Sequence, residues 1–286
     1  MKTIRRLGVV GAGFMGSGIV ETALEADMAV VMVEASLQRA EEAFIAVKNR
    51  LEKKCTSGKL DADIGQLINN LSYTDRIEDI SEVDMVVEAV SEQIELKKEV
   101  FRKLDQVCLE STILASNTSS ISLTKLGAYT SRPEKVVGTH FFCPVPQMPL
   151  VELVPGLETS DETMNIAKDF AEQMGKQWII AKPYPAFTIN RVLGALLNEA
   201  FYLVYEGNAP QDVDKGMKLA MDWKIGPLEL ADFIGLDVCL DVQQSVYSGF
   251  QDNKYRPCPL LKEYVSAGRL GRKTGKGFYE YGKQEV

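Results

Sequence analysis

The sequence predicts an α/β protein: an N-terminal doubly wound, mostly parallel sheet followed by an all-α C-terminal domain. Three observations carry this expectation. Short apolar runs alternate with helix-like segments through the first part of the chain, the pattern of a parallel sheet covered on both faces. The first run passes into a glycine-rich turn that opens a helix. The alternation stops near Lys182-Pro183-Tyr184-Pro185, where two prolines break regular structure. A chain of 286 residues suits two domains at roughly 100–200 residues each. The expected boundaries are 1–184 and 185–286.

In chain order, Leu7 to Val10 reads as a strand and Phe14 to Ala26 as a helix. Met28 to Glu34 is a second strand-like run, followed by a long charged amphipathic stretch from Ser36 to Asn49 that continues toward Lys54. Val83 to Val90, Thr112 to Ser116 and Val136 to Phe142 are further strand-like runs, with a helix-like segment from Leu96 to Cys108. Beyond the prolines, Ile189 to Glu206 places Val192, Leu193, Leu196, Leu197 and Ala200 at helical spacing. Gly207 and Pro210 end that helix. Asp212 to Met221 and Leu228 to Val246 read as helices, and the tail from Gly268 to Gly277 is glycine-rich and basic.

Composition narrows the function. A formal net charge of -8 argues against sequence-independent nucleic-acid binding, which needs Lys and Arg to replace counterions. Five scattered cysteines form no CxxC pair, and with one histidine there is no Cys/His metal pattern, so no metal is expected. An odd, unframed set of cysteines reads as reduced thiols, and the start of the chain shows no signal-peptide pattern, so a cytoplasmic setting is expected. The longest apolar runs are strand-length, so no membrane span is expected.

Gly11-Ala12-Gly13-Phe14-Met15-Gly16 is a GxGxxG turn between a strand-like and a helix-like run. In such a turn the first glycine permits the tight bend, the second lets a pyrophosphate approach, and the third lets helix pack on strand. Phe14, Met15 and Gly16 open the helix, whose N-terminal N–H groups suit phosphate. Glu34 ends the second strand at roughly the 20-residue spacing of a ribose-reading acid. A carboxylate there accepts from ribose hydroxyls and repels a 2′-phosphate, so NAD is expected over NADP. His140, the only histidine, ends the strand-like run from Lys135. Imidazole titrates near ~6.5, which suits proton transfer; a lone histidine among apolar residues equally suits a hydrogen-bonded core position.

Several blocks in order carry a resemblance. They are GAGFMGSGI from Gly11, VVEAVSE from Val86, ILASNTSS from Ile113, GTHFFCPVPQMPLVELV from Gly138, FTINRVL from Phe187, GPLELADFIGLD from Gly226 and GRKTGKGFYEY from Gly271. On them the chain resembles the 3-hydroxyacyl-CoA dehydrogenase family over essentially its whole length, and most closely the family's short bacterial members. The resemblance implies a Rossmann NAD-binding domain, a helical domain that supplies most of a homodimer interface, and an acyl-CoA substrate. It implies reversible oxidation of a short (3S)-3-hydroxyacyl-CoA, such as 3-hydroxybutyryl-CoA, in butyrate or fatty-acid metabolism. His140 matches the family's catalytic histidine and Glu152 its paired carboxylate. Ser119 and Asn190 match contacts to the substrate oxygen. Glu92, Lys97 and Asn117 match positions on the cofactor, with Glu88 beside them. Lys53 matches a lysine that reaches CoA, and Lys59 lies farther along the same charged stretch.

Plainer roles stay open beside these. Ser119 and Asn190 each suit a helix N-cap, and Glu88, Glu92, Lys97 and the lysines suit strand ends or solvated helix faces. A dehydrogenase of free hydroxy acids such as L-gulonate, or a non-catalytic NAD-binding protein, would share the scaffold. Cys143 stands where the family usually has asparagine, Ala186 where it has glycine and Lys224 where it has proline. Cys143 is expected to be a small buried thiol.

Overall fold

A computed structural model describes residues 3–282; the outer ends of the two expected domains, residues 1–2 and 283–286, lie outside the described residues. The chain separates into two compact units, Met1–Pro183 and Tyr184–Val286.

The first unit begins β1 (Arg6–Val10), α1 (Phe14–Glu25), β2 (Ala29–Val33), α2 (Leu37–Thr56), α3 (Ile64–Asn69) and β3 (Leu71–Thr74). It continues β4 (Met85–Glu88), α4 (Ile94–Val107), β5 (Ile113–Ser116), α5 (Leu123–Gly127) and β6 (Val136–Phe141). It ends with β7 (Leu150–Pro155), α6 (Asp161–Gln173) and β8 (Gln177–Ile180). One sheet has the order β3-β2-β1-β4-β5-β6-β7-β8. β1 to β6 run parallel; β7 is antiparallel to β6 and β8 parallel to β7. β4 to β6 are buried at every position, as expected of strands covered on both faces. Val9, Ile19, Leu24, Val87, Phe141 and Phe170 are among the residues of the core.

The strands predicted from apolar runs are all present. β3 and β8 were not legible that way: they are the two edges of the sheet, and β8 is exposed or half-buried throughout. Edge strands need no continuous apolar run because one side meets solvent.

The second unit is helical: α7 (Ile189–Tyr205), α8 (Pro210–Met221), α9 (Pro227–Ile234), α10 (Leu236–Phe250) and α11 (Pro259–Ser266). Leu197, Phe201, Leu228, Leu236 and Leu261 form its core. The helix expected over Leu228 to Val246 is two helices. Gly235 separates them with φ +105, a backbone state that side-chain-bearing residues rarely adopt. The basic tail closes back on α9: Asp232 accepts from the backbone N–H of Phe278 and Tyr279, both at 3.0 Å. Phe278 then stacks on Phe201 with centroids 5.2 Å apart. No helix among the described residues is long and apolar enough to cross a membrane.

Candidate active site

β1 and β4 are neighbours, and the chain winds outward from them in opposite directions. In open α/β sheets such a switch point, at the carboxyl ends of the strands, is where ligands bind. The glycine turn sits there. Gly11 has φ +91 and a Cβ on it would stand 2.8 Å from the Ala89 carbonyl oxygen, so the turn accepts only glycine. A Cβ on Gly16 would meet the Gly11 oxygen at 1.8 Å, which lets α1 pack against the loop. Gly13 is different: nothing lies within 4 Å of where its Cβ would be, and it caps α1 without a side chain. That open space above a helix N-terminus is the cradle a pyrophosphate needs.

Glu34 follows β2 directly. Its Oε1 accepts from the Ala12 N–H at 2.7 Å and its Oε2 from the Ala35 N–H at 3.0 Å. Gly11, Gly13, Glu34, Ala35, Val90 and Leu96 line part of a cavity of about 500 Å³. The glycines, the helix end and the carboxylate at the rim of this cavity therefore fit a dinucleotide.

His140 and Glu152 are brought together by strand register. β6 and β7 are antiparallel and pair His140 directly opposite Glu152, so their side chains share one face. His140 Nδ1 lies 2.7 Å from Glu152 Oε2. The two are 6% and 0% exposed, and a fully buried carboxylate is tolerable only with such a partner. Phe142 flanks the imidazole with its centroid 4.6 Å away. Because β6 runs parallel to β1 and β4, His140 stands near the same carboxyl edge as the glycine turn.

Ser119 is half-buried in the turn between β5 and α5. The N-cap of α5 is Ser122, so Ser119 does not cap it. Glu92 accepts from the N–H groups of Ser119 and Ser120, each at 3.0 Å. Asn117 Oδ1 accepts from the Phe141 N–H at 2.9 Å, which ties β5 to the end of β6 beside His140. Lys97, expected beside the cofactor, is 1% exposed and its ammonium faces Glu88 at 2.6 Å. Asn190 belongs to the second unit, in the first turn of α7; the N-cap there is Thr188.

Lys53 and Lys59 line a second cavity of the first unit, about 590 Å³, with Arg50, Lys54 and residues 144–147. Its floor holds Glu21, 2% exposed, paired with Arg50 at 2.6 Å and Lys54 at 2.7 Å. Among the described residues, Lys53 and Lys59 form no ion pair with a carboxylate, and both line this cavity. Glu21 is a functional candidate that the sequence reading missed; its one signal is an acid set in the apolar face of α1. Lys176, also missed, is buried and donates to the Val145 carbonyl at 2.6 Å, bracing residues 144–147. Cys143 is exposed rather than buried, because its turn leaves the sheet after β6; partial burial still pushes its thiol pKa up.

The chain is similar to known proteins over nearly its whole length. Residues 6–183 match a family model described as 3-hydroxyacyl-CoA dehydrogenase, NAD binding domain, and residues 187–281 the C-terminal domain of the same family. A probable 3-hydroxybutyryl-CoA dehydrogenase of Bacillus subtilis is 46% identical over 280 residues, 97% of this chain and 98% of that protein. The crystal structure of an (S)-3-hydroxybutyryl-CoA dehydrogenase from Ralstonia eutropha superposes with a TM-score of 0.95 at 43% identity, covering 98% of this chain and 100% of that one. A 3-hydroxyadipyl-CoA dehydrogenase of Escherichia coli is 36% identical over 98% of this chain and 60% of its own length.

Proposed function

The chain belongs to the 3-hydroxyacyl-CoA dehydrogenase family and is an NAD-dependent dehydrogenase; from that premise we propose that it interconverts (3S)-3-hydroxybutyryl-CoA and acetoacetyl-CoA, with His140 as the acid–base group. The observation that carries the mechanism is the buried His140–Glu152 contact of 2.7 Å. A carboxylate on Nδ1 keeps the proton there and makes Nε2 the basic nitrogen. In oxidation the C3 hydroxyl gives its proton to His140 as the C3–H bond breaks. Bound NAD+ supplies the acceptor for the hydride. Glu152 stabilises the imidazolium that results, the orienting logic of a triad. In reduction the imidazolium returns the proton to the C3 oxygen. Positioned proton transfer of this kind contributes about 10²–10⁴-fold.

The remaining assignments rest on resemblance, joined for the residues of the first unit by the placement above. The Ser119 hydroxyl and the Asn190 amide hold the C3 oxygen. Gly11, Gly13, Phe14, Met15, Gly16 and Glu34 hold the dinucleotide, and Asn117 keeps the end of β6 in place. Lys53 and Lys59 meet the CoA phosphates, because they add positive charge to a roomy cavity and, among the described residues, pair with no carboxylate of their own. The short acyl chain follows the names of the relatives in Bacillus subtilis and Ralstonia eutropha.

The test is NADH oxidation with acetoacetyl-CoA, repeated with a long-chain 3-oxoacyl-CoA, with the free acid and with NADPH. Acetoacetyl-CoA with NADH is expected to give the highest kcat/KM. Faster turnover of the long chain would refute the short-chain assignment. Equal turnover of acid and thioester would refute the role of CoA.

A further inference from the structure

The cavity that Glu34 lines also holds cations that the proposed chemistry does not use. Arg39, Arg76 and Lys103 line it together with the acids Asp75 and Glu78. Arg39 lies in the first turn of α2, and its Nε stands 3.7 Å from Glu34 Oε2. At that distance the two charges attract, but no hydrogen bond forms. Among the described residues the Arg39 guanidinium donates no hydrogen bond, so its fork of N–H groups is open to a ligand.

Glu34 is already engaged from three directions: the Ala12 N–H, the Ala35 N–H and the Arg39 guanidinium. Its side chain is 9% exposed. It therefore presents less uncompensated negative charge to a bound nucleotide than a bare acid would. The start of α2 acts in the same sense. Ser36 caps the helix by accepting from the Arg39 N–H, and the first turn carries no acidic residue. The positive end of the helix thus follows Ala35 directly and favours an anion there. Asp75 and Glu78 oppose this, and Asp79 faces Arg76 at 3.7 Å. These acids keep the preference for NAD, but the rejection of a 2′-phosphate is incomplete.

We propose that Arg39 is a specificity-determining residue that admits NADPH as a second, weaker cofactor: it neutralises Glu34 and donates to the 2′-phosphate. This rests on the role proposed above for Glu34 in holding the dinucleotide. A planar guanidinium suits a phosphate because it donates from two N–H groups at once. Losing it acts twice in the same direction, since the phosphate loses a donor and meets an unscreened carboxylate.

The experiment compares the native chain, Arg39→Gln and Glu34→Gln. It reads Kd for NADH and for NADPH by fluorescence titration, and kcat/KM with acetoacetyl-CoA and each cofactor. The native chain is expected to bind NADPH no more than about 100-fold more weakly than NADH, the scale of one charge-assisted contact. Arg39→Gln is expected to raise the NADPH Kd by about tenfold or more. Its NADH Kd changes by less than about 3-fold, the scale of an exposed ion pair. The Arg39 side chain is 64% exposed, so this variant is expected to fold. Native NADPH binding weaker than that limit would overturn the proposal. An Arg39→Gln variant that weakens both cofactors equally, or neither, would overturn it as well. Glu34→Gln tests the premise and is expected to shift the Kd ratio toward NADPH by about tenfold. An unchanged ratio there would remove Glu34 from the ribose. A shifted ratio with an unselective Arg39→Gln removes only the role of Arg39.

Discussion

His140 and Glu152 meet because an antiparallel ladder sets position 140 opposite position 152. Neither residue announces the other in the chain: the eleven residues between them are mostly apolar or turn-forming. What the chain does show is a carboxylate set between Val151 and Leu153, where a charge needs a partner. His140→Ala is expected to cut kcat by about 10²–10⁴-fold while NADH Kd, read by fluorescence titration, stays nearly unchanged. A kcat within a few-fold of native would sink the acid–base role. Thr139, the neighbour of His140, presents the opposite case. Its Oγ1 is buried and, among the described residues, has no hydrogen-bond partner. Thr139→Val removes that orphaned hydroxyl at constant shape and is expected to leave stability equal or raise it by up to about 1 kcal/mol. Urea unfolding midpoints check this, and a clear drop would show that the hydroxyl is satisfied.

At the scale of elements, the site is a set of strand ends and turns held at one edge of the sheet. The glycine turn was legible because its demands are local: a positive φ at Gly11 and a close approach at Gly16 each restrict a single residue. The turn after β5 was legible only as a block of serines and threonines. Its conformation is imposed by Glu92, 27 residues earlier than Ser119. That tie has a pH signature. The Glu92 pKa in the fold lies below its ordinary value of 4.5, so its stabilisation is present above that value and is lost as pH falls through the lower folded value. Glu92→Gln is therefore expected to lower the urea midpoint at pH 7 and to differ progressively less from the native chain on acidification below about pH 4.5. A gap that stays constant from pH 7 to pH 3 would contradict the tie.

For the whole molecule, both family domains are present, and the second unit is organised by buried carboxylates as much as by its apolar core. Asp214 accepts from the N–H groups of Leu228 and Glu229 at the start of α9 and from the Tyr279 hydroxyl at 2.7 Å. The basic, glycine-rich tail is thus the closure of the helical unit. The resemblance assigns the dimer interface to this unit, and Leu219, Met221 and Phe233 are exposed apolar residues on it. Light scattering in solution is expected to give about twice the chain mass of 31.7 kDa. A monomer at micromolar concentration would refute the homodimer.

The sequence by itself determined the alternation of buried strands and helices, the dinucleotide turn, the choice of acid at Glu34 and the one imidazole available for proton transfer. Each of these is written in neighbouring residues, as run length, spacing or a backbone angle that one residue must adopt. The resemblance paired Glu152 with His140, but only the tertiary structure gave the register that sets them face to face, and it alone decided that Lys97 is buried between Glu88 and Glu92, that Glu21 underlies the cavity of Lys53 and Lys59, and that the sheet has edges at β3 and β8. These depend on which distant segments come together. Register, burial and the partner of a buried charge are properties of that meeting, and no local pattern of residues encodes them.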